Sequence, residues 1–249
     1  MSIIHLFFSV YSSFRLRQSE DGKDVYESRE IERNKYLQII NEVNRMGVLI
    51  CLDPGHGGSD QGAAGISLLE KDVCLDIADR VERKLADYED IQVIMTRSGD
   101  VEVSMDARSD WANRKNADLY VSFHTNFSVD PSDSGFASYV SVFAGSKTRC
   151  IQRCLHNQIA YFLRQVGVLD LGKKNDTESM TGSLEELRRV HMPAIALGSL
   201  FITNDKEHHL LNDHQFLDQY ANCVTESIAM IFQRSKKKAK RSEKVVDLL

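Results

Sequence analysis

Short apolar runs alternate along the chain with longer segments of helical periodicity. Four such runs, bounded by turn-forming residues, predict buried strands over residues 48–53, 91–96, 119–123 and 136–142. Apolar residues recur at helical spacing in four other segments, which predict helices over residues 70–85, 106–116, 148–166 and 216–233. This order predicts an α/β fold: a single three-layer domain whose mostly parallel, twisted sheet carries helices on both faces. The polar stretch 168–189 is expected to be a loop lining a cleft.

Two histidines and a glutamate stand at the ends of these elements. His56 follows the first strand in a glycine-rich turn, Glu70 opens the first helix, and His124 follows the strand 119–123. Because neighbouring parallel strands end at the same edge of a sheet, where α/β proteins bind ligands, we expect the three side chains to converge. Two imidazoles and one carboxylate suit Zn²⁺ and leave a fourth position for water. The sequence therefore predicts a metal site at this edge of the sheet.

Several motifs extend this interpretation from a site to a family. The segments DPGHGGSDQGAAG, LLEKDVCLDIA, TRSGD, WANRKNADLYVSFHTN, MPAI and FITN follow one another between residues 48 and 232. In these motifs the chain resembles the zinc-dependent N-acetylmuramoyl-L-alanine amidases of bacterial cell walls, and most of all the short amidases of spore formers. The resemblance implies one Zn²⁺ per chain, held by His56, Glu70 and His124. It also implies hydrolysis of the amide between N-acetylmuramic acid and L-alanine, with the peptidoglycan glycopeptide as substrate.

One position departs from the family pattern. In the family, the strand after the proline that corresponds to Pro193 carries a glutamate as general base, followed two residues later by glycine. An ungapped alignment places Gly198 at the glutamate and Leu200 at the glycine. A positioned acid or base typically contributes about 10²- to 10⁴-fold to catalysis. Loss of this carboxylate therefore predicts a weak enzyme or none, and Gly198→Glu would test whether only the base is missing.

Nearby residues offer a replacement carboxylate and contacts for the substrate. Glu186 is the preferred substitute base if its segment forms a strand beside the one carrying Gly198, because alternation then aims only one of two adjacent glutamates at the cleft. The simpler interpretation leaves both Glu185 and Glu186 in solvent. Asn126 and Arg97 are candidate substrate-binding residues. Turn capping is the alternative for Asn126, and a salt bridge at the rim of the site is the alternative for Arg97.

The two ends differ from the domain, which we expect to span residues 47–234. Residues 1–46 form an extension that is apolar at first and then charged, with a polar helix predicted over residues 30–43. This extension lacks the positive start and the cleavage site of a signal peptide, so cytoplasmic synthesis with release or export to the cell wall is the favoured expectation. Residues 235–249 form a basic tail that could bind an anionic wall polymer or a membrane surface. A solvated tail is the simpler alternative.

Composition narrows the class of protein. With 249 residues and 42% hydrophobic content, the chain can bury the core of one domain. No run of about 18 apolar residues is present. A net charge of -5 gives no reason to expect a nucleic acid partner. Five cysteines, an odd number, disfavour a secreted disulfide framework, and the helical spacing of Cys150 and Cys154 favours packing in the core.

Three functions remain open from the sequence. The first is an active zinc amidase, a hydrolase or autolysin of cell-wall or spore-wall peptidoglycan. The second is a degenerate, catalytically impaired amidase that binds zinc and peptidoglycan as a wall-binding or regulatory module. The third is a zinc hydrolase of a different amide. Turnover of peptidoglycan separates the first two, since both would bind the metal.

Overall fold

The computed structural model of this chain describes residues 47–179 and 184–238. Within them, one sheet contains β1 (Val48–Pro54), β2 (Ile91–Met95), β3 (Leu119–Asn126), β4 (Phe136–Val140), β5 (Asp170–Asn175) and β6 (Ala194–Phe201). The strands lie in the order β2-β1-β3-β6-β4-β5. β4 is antiparallel to β6, and every other neighbouring pair is parallel. The sheet is therefore mixed and mostly parallel.

Helices cover both faces of this sheet. They are α1 (Glu70–Leu85), α2 (Met105–Lys115), α3 (Ser146–Gln165), α4 (Glu186–Arg189), α5 (Asp205–Leu211) and α6 (His214–Ile231). Because side chains alternate along a strand, Ile50 and Leu52 of β1 join one core with α1, α3 and α6. Cys51 joins the opposite core, to which Ala112 of α2 and Leu187 of α4 contribute. The three-layer α/β fold predicted from the sequence is confirmed.

The structure corrects three predictions made from the sequence. β3 continues to Asn126, so His124 lies within the strand rather than after it. The predicted loop over residues 168–189 contains β5, a 3₁₀ turn (Asp176–Glu178) and α4. β5 escaped prediction because its sequence, DLGKKN, is polar and lies at the edge of the sheet. Cys150 is exposed on α3 and Cys154 is half-buried, so the expected core packing of this pair is wrong.

The sheet face beneath α4 is lined by small residues. Ala194, Ala196 and Gly198 of β6 alternate onto the face that carries Tyr120 and His124 of β3. α4 contacts β6 on this side, and its Leu187 packs in the same cluster as the two alanines. Since these β6 side chains are short, α4 lies close to the sheet and brings its first residue near His124.

The first residues of the basic tail are bonded to the domain. The Glu89 amide donates to the Ser235 carbonyl at 2.9 Å, and the Lys237 amide donates to the Asp87 carbonyl at 2.7 Å. Residues 235–238 are therefore solvent-exposed but held to the domain by backbone hydrogen bonds rather than frayed. The predictions for residues 1–46 and for the rest of the tail fall outside the described residues. Within the described part of the chain, no helix combines the length and the apolar character needed to cross a membrane.

Candidate metal centre and active site

Glu70, the first residue of α1, lies at the centre of the candidate site and is 2% exposed. One carboxylate oxygen accepts the Thr125 amide and the other accepts the Ala63 amide, each at 2.8 Å. These bonds tie the start of α1 to β3 and to the loop after β1. Each oxygen also faces an imidazole, since Oε2 lies 3.2 Å from His56 Nε2 and Oε1 lies 3.3 Å from His124 Nδ1. The structure thus brings the three predicted ligands together.

The donor set fits a metal ion. One ligand atom from each of His56, Glu70 and His124 lies within 4.8 Å of the other two. Burial alone would lower the pKa of His124, but the hydrogen bond and charge of Glu70 raise that pKa to about 9. Burial would raise the pKa of Glu70, yet the two histidines hold it far below its usual value. Since histidine binds metals in its neutral form, a metal ion bound here would take the place of the protons on these imidazoles. Two imidazoles and a carboxylate form a donor set found at catalytic zinc sites.

The outer nitrogen of His56 is fixed by Asp60. His56 Nδ1 donates to Asp60 Oδ2 at 2.9 Å, which turns Nε2 toward Glu70. Carboxylates in this position orient a ligating histidine and raise its basicity. The sequence analysis missed Asp60, although its place four residues after His56 in the glycine-rich turn was an available signal. The turn also needs Gly62, whose φ is 64° and where a Cβ would lie 2.7 Å from Glu70 Oε2.

Arg97 and Arg108 shape the loop that carries His56. Arg97 is 3% exposed. Its guanidinium donates to four backbone carbonyls, those of Pro54, Gly55, Lys71 and Gly99. Arg108 donates to Asp53 Oδ1 at 2.8 Å and to the His56 carbonyl. Arg97 therefore uses its donors to hold the loop, rather than for the salt bridge weighed from the sequence, and its contact with substrate stays a prediction.

Gly198 pairs with His124 across β6 and β3, so no side chain extends from β6 at this point. Asn126 fills the adjacent space and is 7% exposed. Its Nδ2 donates to the Gly198 carbonyl at 3.1 Å and to the Gly135 carbonyl at 3.0 Å. A Cβ at Gly198 would lie 3.1 Å from Asn126 Cγ and closer still to Asn126 Oδ1. Asn126 therefore braces two backbone segments, and its contact with substrate stays a prediction.

Leu200 adopts a backbone conformation that glycine favours. Its φ is 62° and its side chain is fully buried. The left-handed conformation costs a residue with a Cβ roughly 1–2 kcal/mol. The bend lies where the register between β3 and β6 shifts, between His124 and Asn126. This geometry gives a physical reason for the glycine of the family pattern, which this chain replaces with a core leucine.

Glu186 places a carboxylate beside the metal cluster. Its side chain is almost completely buried, and Oε1 lies 3.9 Å from His124 Nε2. No described residue forms a hydrogen bond with this oxygen. Burial raises the pKa of Glu186, and the nearby His124 offsets part of the effect. Glu185 is exposed and pairs with Arg189 at 3.1 Å. The sequence analysis expected Glu186 to lie on a strand. This is wrong, because Glu186 is the first residue of helix α4.

Two openings meet at His124. The larger has a volume of about 250 Å³ and is lined by His56, His124 and Glu186 together with the start of α2. The smaller has a volume of about 10 Å³ and lies against Gly198, Asn126, Tyr139 and the other side of His124. The smaller opening has room for about one water molecule. Glu186 thus lines the larger of the two openings, beside His56 and His124.

Fold and site together define an α/β protein with a histidine–glutamate–histidine cluster at the carboxyl edge of its sheet. Residues 50–230 match the family model described as N-acetylmuramoyl-L-alanine amidase. The chain belongs to the N-acetylmuramoyl-L-alanine amidase family.

Individual relatives agree with this assignment. The chain is 36% identical over 204 residues to an endolysin of Bacillus phage SPP1, which covers 81% of this chain and 72% of the endolysin. It is 32% identical over 190 residues to the sporulation-specific N-acetylmuramoyl-L-alanine amidase of Bacillus subtilis (strain 168), with 76% and 70% covered. The crystal structure of an N-acetylmuramoyl-L-alanine amidase from Clostridium difficile 630 matches with a TM-score of 0.69 and 27% identity. That match covers 75% of this chain and 97% of the other.

Proposed function

We propose that this chain is a zinc-dependent hydrolase that cleaves the amide between N-acetylmuramic acid and L-alanine in peptidoglycan. Family membership and the names of the relatives support the reaction. The donor set of His56, Glu70 and His124 supports one zinc ion per chain. The observation that carries the proposal is the buried carboxylate of Glu186, 3.9 Å from His124 in the same cavity. Glu186 offers the acid–base group that is absent at Gly198.

Each residue of the site has a distinct part in this mechanism. When bound, a metal ion polarises the amide carbonyl and lowers the pKa of a water molecule. Glu186 accepts a proton as water attacks the carbonyl carbon, and it returns the proton to the alanine nitrogen as the C–N bond breaks. The products are a lactyl carboxylic acid and a peptide with a free L-alanine amine. Asp60 holds His56 in orientation throughout.

The environment of Glu186 suits a proton carrier. Its pKa is raised by burial, which brings it nearer to neutral pH, where a general acid–base residue is most effective. No hydrogen bond from a described residue occupies Oε1, so this oxygen is available to water or to the leaving amine. The 3.9 Å separation from His124 Nε2 is longer than a hydrogen bond, so His124 does not fix the carboxylate.

The test is release of peptide from purified peptidoglycan by the zinc-loaded protein, read by mass spectrometry. Glu186→Gln keeps the shape of the side chain, and we expect it to lower turnover by about 10²- to 10⁴-fold while zinc stays stoichiometric. Glu185→Gln, at the exposed neighbouring position, is the matched control and should keep turnover. His124→Ala should lose both zinc and turnover. Full turnover by Glu186→Gln would show that another group carries the proton.

A degenerate binding module is the second candidate, and Gly198 is the observation that favours it. In that case Glu186 would act only as an outer carboxylate that orients His124. The protein would sediment with peptidoglycan and retain zinc, yet create no new L-alanine amines. The same mass spectrometry experiment separates this outcome from hydrolysis.

The place of action follows from the proposed substrate. We infer that the protein acts on the cell wall or spore wall, as the sporulation-specific and germination-specific names of two Bacillus subtilis relatives suggest for those proteins. Contact of the basic tail with an anionic wall polymer or a membrane surface stays a prediction, since most of that tail lies outside the described residues.

A further inference from the structure

The helix that carries Glu186 is too short to hold itself in place. α4 has four residues, and isolated helices shorter than about 12–15 residues are marginal in water. Its one core side chain, Leu187, packs against the small residues of β6. The position of the Glu186 carboxylate must therefore depend on contacts from neighbouring elements.

The first of these contacts is an ion pair between the partly exposed Arg188 and the buried Asp176. Asp176 is fully buried, and its Oδ1 accepts the Val142 amide at 2.9 Å. Arg188 Nε donates to the other oxygen of the same carboxylate. The guanidinium also lies 5.7 Å from the centre of the Phe143 ring. Asp176 thus joins α4 to the turn that follows β4.

A second contact comes from α2 on the other side of α4. Asn113 Nδ2 donates to the Arg189 carbonyl at 2.9 Å, and Asn113 Oδ1 accepts the His191 amide at 2.8 Å. One side-chain amide therefore binds the backbone at the end of α4 at two points. Arg189 also pairs with Asp106 of α2, but both side chains are exposed and such pairs contribute little.

We propose that Asp176 and Asn113 are positioning residues that hold Glu186 at the metal cluster, an inference that rests on the proposed function of Glu186. Neither side chain lines the cavity at the site. Asp176 fixes α4 from the β4 side and Asn113 fixes it from the α2 side. A displacement of α4 would move the carboxylate away from the reacting amide while leaving the three metal ligands, which lie on other elements, in place.

Asp176→Asn tests the proposal because it keeps the acceptor for Val142 and removes the charge that holds Arg188. We expect kcat to fall about tenfold or more, with KM and zinc content unchanged, since misplacing a catalytic group by about 1 Å can cost about 10²-fold. Arg188→Gln removes the same ion pair from its partly exposed side and should reproduce the effect if Asp176→Asn folds poorly. Glu178→Gln is the matched control, because Glu178 lies in the same 3₁₀ turn and, among the described residues, its side chain hydrogen-bonds to Asn175 and not to α4.

A double-mutant cycle distinguishes positioning from general destabilisation. In a Glu186→Gln background, Asp176→Asn should cause little further loss of kcat, because the group it positions is already absent. An equal loss in both backgrounds would overturn the proposal. Hydrogen exchange at the amides of α4 is the second readout, and exchange no faster in Asp176→Asn than in Glu178→Gln would also overturn it. If Glu186→Gln alone keeps full turnover, the proposed function of Glu186 fails instead.

Discussion

Adding a single methyl group at Gly198 should destabilise the protein. The Cβ of Gly198→Ala would lie 3.1 Å from Asn126 Cγ and from Tyr139 Cε2, and closer still to Asn126 Oδ1. Asn126 can relieve this contact only by turning away from the carbonyls of Gly198 and Gly135. Each lost hydrogen bond has a net cost of about 1 kcal/mol, and a buried acceptor left without a donor adds to it. We therefore expect a loss of about 2–4 kcal/mol in the free energy of unfolding, measured by urea denaturation.

Gly145→Ala is the control, because a Cβ there meets no atom within 4 Å. Combining Gly198→Ala with Asn126→Ala removes the closest contact, so the double variant should lose less stability than the sum of the two single variants. A Gly198→Ala protein as stable as Gly145→Ala would refute this reasoning. The same contact bears on Gly198→Glu, which should not restore a family-like base unless Asn126 is shortened as well.

Two further predictions concern carboxylate–histidine pairs. Asp60→Asn should weaken zinc binding by about 10- to 100-fold in a competition assay with a chelating dye, because the charge that supports His56 is lost. Glu102→Gln, which alters a neighbouring carboxylate on the cavity wall, is the control and should keep the affinity. The second pair is His156 and Asp170: Asp170 accepts from His156 Nε2 and the Ser138 hydroxyl donates to Nδ1, each at 2.9 Å. Burial lowers the pKa of His156 below its ordinary 6.5, so the unfolded chain binds the proton more readily. The stability contributed by this histidine is present above about pH 6.5 and falls as the pH drops below that value. The free energy of unfolding of His156→Gln should therefore depend less on pH across that range. An unchanged pH dependence would contradict the lowered pKa of His156.

Strong apolar periodicity made most of the sheet and helices predictable. β1 and β3 are buried on both faces, and their uninterrupted apolar runs led to His56 and His124 at one edge of the sheet. β5 could not be found in this way, because an edge strand with the sequence DLGKKN has no apolar alternation. α4 was missed for a different reason, since tertiary bonds from Asp176 and Asn113 hold a segment that has little tendency to form a helix alone.

In the candidate site, too, some residues were predictable from the sequence and others were not. The convergence of His56, Glu70 and His124 was predictable because a glycine-rich turn, a helix start and a buried apolar strand mark these residues in the sequence. Asp60 and the orientation of Arg97 depend on the path of the loop between β1 and α1, which spacing alone does not determine. Glu186 was identified from its charge and its approximate position in the chain. That it lies on a helix could be recognised only from the structure, in which α4 packs on the small side chains of β6.

Glu70 links the geometry of the candidate metal site to the contact of three separate segments of the chain. Its two oxygens are bound by amides of the loop after β1 and of β3, segments far apart in the chain, so the carboxylate is set only when loop, strand and helix have met. An unfolded or half-folded chain therefore lacks the converged donors that the finished domain presents. Under the proposed function, zinc would therefore meet all three of its donors together only in a chain whose loop, strand and helix have already joined, so zinc content would report a folded domain.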